Sequence, residues 1–523
     1  MLHESDDLLL LLVNTILRDL KSSNVVEINM ALIAVASSNL VPAEMAPLLI
    51  PVLAERTKHS KDFIRKKSLI CLGQLYQNQY NSTSLSSSFT GSHISPEMNR
   101  FIEDHVQICL TDLDPGVVGT AIQVIKTIII SKPISSEVDA VMPFCQSIDG
   151  LILGLIGIQE QILDGKLPQK EYSYQELPAP WMQVDILHLL RMFFEGNYVK
   201  QMLPKEVWIQ AARVLLRTFE HISLHGGSKN IIGHAIDLEC TFVSASLMCL
   251  KDDSNNIKTN LVDDTPLSPE MLRNSLAQKS LKHMVRFIQC KNFNMKYAGL
   301  TGIERLFEKP EVEYTTGSDA NSTISKDINK DLEDLQNGVM SCLESSDPSI
   351  RQKALSLLPL MATASNVRSI CDKIIGHIRL QQSSKTESVI GKEDLISKVL
   401  GMAEKFYLRS YDETNVNEEL IVTFDWYVFV LVRLLQAAHG AQREAILLKI
   451  KRHLTPSKNK HTATTSTSNK QENEKDDGGD LEIINVGTKL TGILRKLVFS
   501  NLEKANNADM DKVIQNLHYY KEL

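Results

Sequence analysis

Few residues of the types found in catalytic, nucleotide-binding or metal sites occur at the spacing that such sites require. Gly150, Gly154 and Gly157 loosely match the glycine spacing of a dinucleotide-binding loop. They lie in a continuous apolar run, DGLILGLIGI, without a strand pattern before it, and therefore predict close helix packing instead. His188 and His234 lie in helical segments, which predicts satisfied core or boundary histidines rather than metal ligands.

The remaining chemistry-bearing residues are scattered. The sequence contains no HExxH segment, no phosphate-binding Walker loop and no persuasive Ser/His/Asp order. Its eight cysteines stand singly and without a CxxC pair, which favours buried reduced thiols in a cytosolic protein over disulfides or metal ligands. They are Cys71, Cys109, Cys145, Cys240, Cys249, Cys290, Cys342 and Cys371. We therefore expect a protein that is not an enzyme, with no catalytic, cofactor-binding or metal site.

Two clusters of basic residues could contact an anionic partner. The first comprises Lys58, His59, Lys61, Arg65, Lys66 and Lys67, and the second Lys449, Lys451, Arg452, His453, Lys458 and Lys460. We interpret each cluster as a solvated helix face. The alternative is contact with an anionic membrane surface, where each nearby Lys or Arg contributes about 1 kcal/mol. The sequence singles out no individual partner-binding residue.

The composition is that of a folded protein. Of the 523 residues, 43% are hydrophobic and 23% are charged. The formal net charge of −7 provides no electrostatic footprint for binding bulk nucleic acid.

The N-terminus predicts a helix rather than a targeting segment. Residues 1–7 are acidic, and the apolar run Leu8–Val13 is too short to span a membrane. A helical stripe is formed by Leu9, Leu12, Val13, Ile16, Leu17 and Leu20. Glu4 followed by Leu8 and Leu9 also has the form of an acidic dileucine sorting signal. We favour the helix because its stripe uses those leucines.

One pattern recurs six times along the chain and indicates helical repeats. After a polar or Asp-Pro start, an apolar residue is followed by a small residue four positions later and an aliphatic one five positions later. The copies are Ile64/Ser68/Leu69, Val117/Ala121/Ile122, Met182/Ile186/Leu187, Ile231/Ala235/Ile236, Met295/Gly299/Leu300 and Ile350/Ala354/Leu355, in which only Ile186 is not small. Asp caps a first turn and Pro is tolerated next to it, while a small residue lets another helix cross closely. The repeat is somewhat longer than a HEAT or armadillo unit of about 40–47 residues. The pattern predicts an all-α protein, an α-solenoid of HEAT/armadillo-like repeats with enlarged loops.

The stretch Gly165–Phe194 is the most distinctive part of this repeat. Pro178 and Pro180 hold the residues before them out of the helical region, so a helix is predicted to begin only after them. Tyr172, Tyr174 and Trp181 are expected to lie across the seam between neighbouring helices and to bury large flat surfaces.

Composition shifts predict the domain organisation. Residues 1–454 are expected to form the solenoid trunk, with disordered insertions near 78–95, 251–269 and 309–330. Residues 455–480 change from basic to acidic and are predicted to be a low-complexity linker. Residues 481–523, with Ile493, Leu494, Leu497 and Val498, are predicted to be a short helical tail.

Several passages resemble the large adaptin subunits of heterotetrameric vesicle adaptor complexes, and most of all the epsilon type of the fourth adaptor complex. The passages are Asn14–Val35, His59–Leu72, Gly165–Arg191, Asn230–Cys240, Asn292–Leu306, Asp347–Val367 and Phe424–Tyr427. The PAPW passage with Gln183 after Trp181 weighs most. The chain departs from the resemblance at both ends. The family trunk begins earlier, and residues 481–523 are too short for the folded appendage in which the family ends.

The resemblance implies a non-enzymatic coat scaffold. Such a trunk would hold a sigma-type small subunit, a mu-type medium subunit and a beta-type large subunit, with an Arf-type GTPase as a further partner. It would lie in the cytoplasm, peripherally on the trans-Golgi network or endosomes, and serve cargo selection in intracellular protein transport. The alternative is another HEAT-repeat scaffold, such as a coatomer subunit or a transport receptor.

Overall fold

The computed structural model describes most of the predicted trunk. The described residues are 6–37, 46–83, 96–131, 144, 147–166, 169–196, 202–224, 230–252, 269–307, 334–362, 366–383, 392–412 and 424–454. The predicted linker at 455–480 and the tail at 481–523 lie outside them, as do residues 84–95, 253–268 and 308–333 of the expected insertions.

The ends of two expected insertions are regular structure. Residues 78–83 are the last turns of a helix, where the Gln74 amide donates to Asn78 Oδ1 at 3.0 Å. Lys251 and Asp252 form a short strand, and a helix begins at Pro269.

The chain divides into two compact units. One comprises residues 1–287 and 305–332, and the other residues 288–304 and 333–523. The first contains α1 Asp6–Leu20, α2 Val25–Ala36, α3 Ala46–Arg56, α4 Asp62–Thr83, α5 Pro96–Ile108, α6 Pro115–Ser131, α7 Ile148–Leu163, α8 Gln169–Tyr172, α9 Pro180–Glu195, α10 Lys205–Leu224, α11 Ile231–Met248 and most of α12 Pro269–Gln289.

Alternate helices of the first unit lie side by side. Helices α2, α4, α6, α9 and α11 each contact the next and form what we call the front layer. Behind it, α1, α3 and α5 are successive neighbours, and α7 contacts α10. Consecutive helices join the two layers in the pairs α1–α2, α3–α4, α5–α6, α7–α9 and α10–α11. This pairing is the expected repeat, and the predicted all-α solenoid fold is confirmed.

The core of this unit lies between the layers. Ile64 and Leu72 of α4 and Ile122 of α6 are fully buried, and so is Trp208 of α10. The Trp208 indole N–H donates to the Leu247 carbonyl at 3.1 Å, so its polar edge is satisfied. Burying a large apolar side chain contributes roughly 1.5–3 kcal/mol, which is why the pairs are stable only as a stack.

The second unit contains most of α13 Phe293–Phe307, then α14 at residues 334–341, α15 Pro348–Leu357, α16 Val367–Ser383, α17 Lys392–Asp412, α18 Phe424–Ala437 and α19 Gly440–Leu454. Consecutive helices from α16 to α19 contact one another, and α16 also contacts α18. Ion pairs connect α13 to α15 through Glu304 and Lys353, and α17 to α19 through Glu404 and Lys449. Alternate helices are therefore neighbours here too.

The six recurring positions fall on α4, α6, α9, α11, α13 and α15. Their central residues Ser68, Ala121, Ile186, Gly299 and Ala354 are buried, and Ala235 is half-buried. The expected caps are present, because Asp114 Oδ1 accepts from the Val117 N–H and Asp347 Oδ1 from the Ser349 N–H. Ile231 departs from the pattern. It is 84% exposed because, as the first residue of α11, it precedes the turn that packs.

Strands are minor in the described part of the chain. Strand β1 Ser173–Tyr174 pairs antiparallel with β2 Leu177–Pro178, and β3 Met202–Leu203 pairs parallel with β4 Lys251–Asp252. Among the described residues, α11 is long and apolar enough to cross a membrane. About 67% of it is buried within the molecule, which is typical of a core helix.

Candidate functional site

A tight hairpin precedes helix α9. Ser173 lies opposite Pro178 and Tyr174 opposite Leu177, and the turn between them consists of Gln175 and Glu176. Both turn residues have positive φ, 48° and 69°, a conformation that glycine or asparagine adopts more easily. Such residues cost on the order of 1 kcal/mol each and persist only where the surroundings hold them.

Helix α9 begins at Pro180, one residue before the predicted start after both prolines, because proline is tolerated as the first helical residue. Ala179 before it has a left-handed backbone with φ of 40°, and its N–H donates to the Tyr172 carbonyl at 2.9 Å. This bond joins the last turn of α8 to the start of α9. The hairpin is thereby closed at its base.

The three aromatic side chains of this stretch do not pack as expected. Tyr174 is 44% exposed and Trp181 is 56% exposed, while Tyr172 is half-buried. The Tyr174 and Trp181 rings contact each other, with centroids 5.2 Å apart and planes tilted by 57°. The prediction that these rings are buried across a helix seam is therefore wrong for Tyr174 and Trp181. The hairpin lifts Tyr174 away from the seam, and Trp181 lies on the outward side of the first turn of α9.

A buried polar cluster holds the hairpin from within. The Gln159 amide of α7 donates to Gln183 Oε1 at 3.0 Å and lies 3.3 Å from Thr218 Oγ1 on α10. The Gln183 amide donates to the Pro178 carbonyl at 2.7 Å. These three polar side chains are almost fully buried. Gln183, noted in the sequence only for its position after Trp181, therefore links three helices to the strand.

An open groove lies between α4 and α6 on the front layer. Its volume is about 490 Å³, within the usual 300–1,000 Å³ of ligand pockets. Its lining residues are uncharged: Ile70, Gly73, Gln74, Gln77, Gly116, Gly119, Thr120, Gln123, Val124 and Thr127. Amides, hydroxyls and glycines can pack against polypeptide but provide no charge for an anion or a metal ion. This groove and the aromatic hairpin are the candidate interaction surfaces of the first unit.

The first basic cluster is neutralised in part. The Arg65 guanidinium forms two bonds of 2.8 Å to Asp112, and Lys66 lies 3.0 Å from both Asp62 and Asp114. Lys67 donates to Asn29. Partial burial and the neighbouring cations Arg56, Arg65 and Lys61 lower the pKa of His59, which favours its neutral form. The structure thus supports helix-joining contacts for half of the cluster and leaves Lys58 and Lys61 exposed.

The second basic cluster is only partly described. Lys449 pairs with Glu404 on α17, which joins two helices. The side chains of Lys451, Arg452 and His453, and residues 458 and 460, lie outside the described part.

His188 and His234, for which the sequence predicts a structural role, lie on helices and contact neighbouring helices. His188 Nδ1 lies 3.6 Å from Glu239 Oε1, and Arg191 also contacts Glu239. His234 is half-buried with its ring edge on Phe287, and burial lowers the pKa of the imidazole. Both therefore connect α9, α11 and α12. Among the described residues, no group of three or more potential ligands could hold a metal ion.

The glycines of α7 contradict the packing interpretation. A Cβ built on Gly150, Gly154 or Gly157 would meet nothing within 4 Å. Gly150 and Gly154 are exposed, and Gly157 is half-buried. The prediction of tight packing is wrong because these glycines lie on the side of α7 that its neighbours leave open.

One arrangement that the sequence did not reveal joins Ser223, His283 and Asp237. Ser223 Oγ lies 3.3 Å from His283 Nε2, and His283 Nδ1 lies 2.8 Å from Asp237 Oδ1. The order matches a nucleophile, a base and an acid, drawn from α10, α12 and α11. No local motif could have found it.

The position of Ser223 does not suit acyl transfer. Its hydroxyl donates to the Phe219 carbonyl at 2.8 Å within the last turn of α10. A helix C-terminus presents carbonyl groups and the negative end of the dipole, the wrong sign for stabilising an oxyanion. We therefore assign the cluster to the packing of α10, α11 and α12.

Comparisons with known proteins identify a family and several similar chains. The family described as the adaptin N terminal region matches residues 1–467. The AP-4 complex subunit epsilon-1 of Mus musculus is 26% identical over 405 residues, covering 77% of this chain and 28% of the relative. The AP-4 complex subunit epsilon of Arabidopsis thaliana is 25% identical over 405 residues, covering 77% of this chain and 34% of the relative. The chain thus spans about a third or less of the length of these relatives. A structure described as a homology model of the full-length AP-3 complex in an intermediate open conformation aligns with 99% of this chain and 75% of its own, at 17% identity and a TM-score of 0.46.

Proposed function

The chain belongs to the adaptin family, and from that membership we propose that it is the trunk of a large subunit of a vesicle adaptor complex. The match to the adaptin N terminal region over residues 1–467 carries this proposal. Relatives whose names place them in the AP-4 complex support the epsilon type. The trunk would be a non-enzymatic scaffold for intracellular protein transport.

The expected partners are a sigma-type small subunit, a mu-type medium subunit and a beta-type large subunit. An Arf-type GTPase is a further proposed partner, and nucleic acid is not expected. The complex would bind peripherally to the cytosolic face of the trans-Golgi network or endosomes and select cargo there. Two stacks of helical pairs suit this task, because they expose long helix faces and need no reaction chemistry.

The front layer of the first unit is the proposed contact surface for a partner subunit. Its groove between α4 and α6 is uncharged, as is common at the centre of protein interfaces. Thr120 lies in this groove on α6, and its hydroxyl donates to the Gly116 carbonyl of its own helix. A large charged side chain at Thr120 would fill the groove without removing a core contact.

Tagged purification of the full chain with quantification of its partners tests the proposal. We expect a sigma-type subunit at near-equal stoichiometry, accompanied by mu- and beta-type subunits. Thr120→Arg should reduce recovery of the partner that covers the groove. Thr111→Arg, the same change at an exposed threonine outside the groove, should not. Coatomer subunits or transport cargo in place of adaptor subunits would overturn the assignment.

A further inference from the structure

We propose that the Tyr174–Trp181 corner of the hairpin is a docking site for a short extended segment of a partner protein that carries proline rings beside a basic residue. The corner consists of the two exposed rings and the acidic tip of the turn, Glu176. This inference concerns a surface separate from the α4–α6 groove and does not depend on the adaptor assembly proposed above.

The exposure of the two rings is the first observation. About half of each side chain remains accessible, although both rings are large enough to be buried in a core. Rings tilted by 57° with centroids 5.2 Å apart present two apolar planes at an angle to each other. Tyrosine and tryptophan in such positions are enriched among the residues that dominate binding energy.

The rigidity of the corner is the second observation. Trp181 belongs to the first turn of α9, and the Pro178 carbonyl behind it accepts from the buried Gln183 amide. The Ala179 N–H bond to Tyr172 closes the base of the hairpin. A backbone held this way loses little conformational freedom on binding, so more of the contact energy appears as affinity.

The charge near the corner favours a basic polypeptide over an anionic membrane as the binding partner. From Tyr172 to Trp181 the only charged residue in the sequence is Glu176, and Lys170 and Glu171 stand side by side just before this segment. Both carboxylates are exposed. They would be repelled by an anionic membrane surface, which otherwise also favours Trp and Tyr. They would attract a lysine or arginine on a polypeptide.

The form of the rings favours proline next to that basic residue. Aromatic surfaces recognise proline-rich segments because the polyproline II conformation is already extended before binding. A compact, rigid pyrrolidine ring can lie on the exposed indole face while a following residue contacts the tyrosine. Segments without rings would lose more entropy for a smaller contact.

The test uses the full chain labelled with 5-fluorotryptophan and followed by fluorine NMR. The sequence contains three tryptophans, Trp181, Trp208 and Trp426, and Trp181→Phe assigns the resonance of interest. The probe is a blocked octapeptide of prolines and leucines with arginine at both ends, so that either chain direction can bind. We expect a saturable shift of the Trp181 resonance at peptide concentrations up to about 1 mM, with the Trp208 resonance unchanged.

Variants separate the parts of the proposal. Tyr174→Ala should weaken binding at least fivefold. Glu176→Gln should weaken it roughly two- to fivefold, the range of one exposed ion pair. Glu97→Gln, a matched change at an exposed acid of α5, should have no effect. A Trp181 resonance that does not move overturns the proposal, as does an equal response to the same peptide with glutamate ends. A stronger response to phosphatidylserine vesicles than to the peptide would assign the corner to membrane contact and overturn it as well.

Discussion

Helix α7 and the seam between α4 and α6 both contain glycines, but the glycines have different surroundings. In the seam, a Cβ on Gly73 of α4 would lie 2.9 Å from Val124 Cγ1 of α6. One on Gly119 of α6 would lie 3.3 Å from Met182 Cε of α9, at the next contact along the front layer. On α7, a Cβ on Gly154 would meet nothing within 4 Å. Both regions are helical, and Gly73 and Gly154 each stand next to an aliphatic residue, so the immediate sequence does not distinguish them.

The difference teaches that a helical glycine indicates close packing only when the facing helix is known. Gly73 faces α6 because α4 and α6 are adjacent members of the front layer. The α7 glycines face away from the neighbours that bury Leu151, Ile152 and Leu155. A regular glycine spacing is thus compatible with either role.

The largest loss of stability is expected where Arg65 of α4 pairs with Asp112, just before α6. Asp112→Ala should destabilise the first unit by about 2–3 kcal/mol, because Arg65 would lose two charge-assisted bonds in a site where both side chains are only 15% and 14% exposed. Urea unfolding monitored by circular dichroism measures the change. The control is Asp149→Ala, an exposed acid in the first turn of α7, which should change stability by less than about 0.5 kcal/mol. Equal effects of the two variants would contradict the view that the seam is held by this pair.

The second-largest loss of stability is expected when a larger side chain is placed between α4 and α6. Gly73→Val should destabilise by about 1–2 kcal/mol, since the added carbons would displace Val124 of α6. The same denaturation measurement applies, with Gly154→Val on α7 as the matched control. Valine at Gly154 should cost less, because its side chain would enter open space. An equal loss at Gly154 would contradict the packing explanation, because valine is a better helix former than glycine and helix propensity cannot explain the loss.

A double variant sharpens the same point. Val124→Ala removes the methyl groups that a side chain at position 73 would strike, so part of the cost of Gly73→Val should disappear in the combined variant. The interaction energy should be about 0.5–1.5 kcal/mol in the favourable direction. Additive effects within about 0.3 kcal/mol would mean that the two positions are not in contact.

The smallest change in stability is expected on α7, and it should be an increase, whereas a larger side chain at Gly73 should decrease stability. Gly154→Ala should stabilise the protein by about 0.5–1 kcal/mol, because alanine is the better helix former and the site has room for it. The thermal unfolding midpoint should rise accordingly. A lower midpoint would show that another surface covers α7 in solution.

Much of the fold could be predicted from residues near one another in sequence. The Asp-Pro starts predicted the caps at Asp114 and Asp347, and the prolines before Trp181 predicted the start of α9 to within one residue. These features depend on a single turn of backbone, where local sterics and one hydrogen bond decide the conformation. The stripe of α1 was predicted on the same basis, and Val13, Ile16 and Leu20 are buried.

The candidate surfaces could not be predicted in this way. The exposure of Tyr174 and Trp181 depends on a two-residue turn of Gln175 and Glu176, which are unusual in that conformation. The neutralisation of Arg65 depends on Asp112, which is 47 residues away.

The amino-acid sequence by itself determined that this chain is a stack of amphipathic helices. The hydrophobic period and the capping residues of a helix depend only on residues close together in the sequence. It also carried the adaptin resemblance, which the family match over residues 1–467 confirms. The tertiary structure decided which glycines are packed, which cations are paired and which aromatic rings face water. Those properties belong to pairs of residues on different helices, and only the folded chain brings such pairs together.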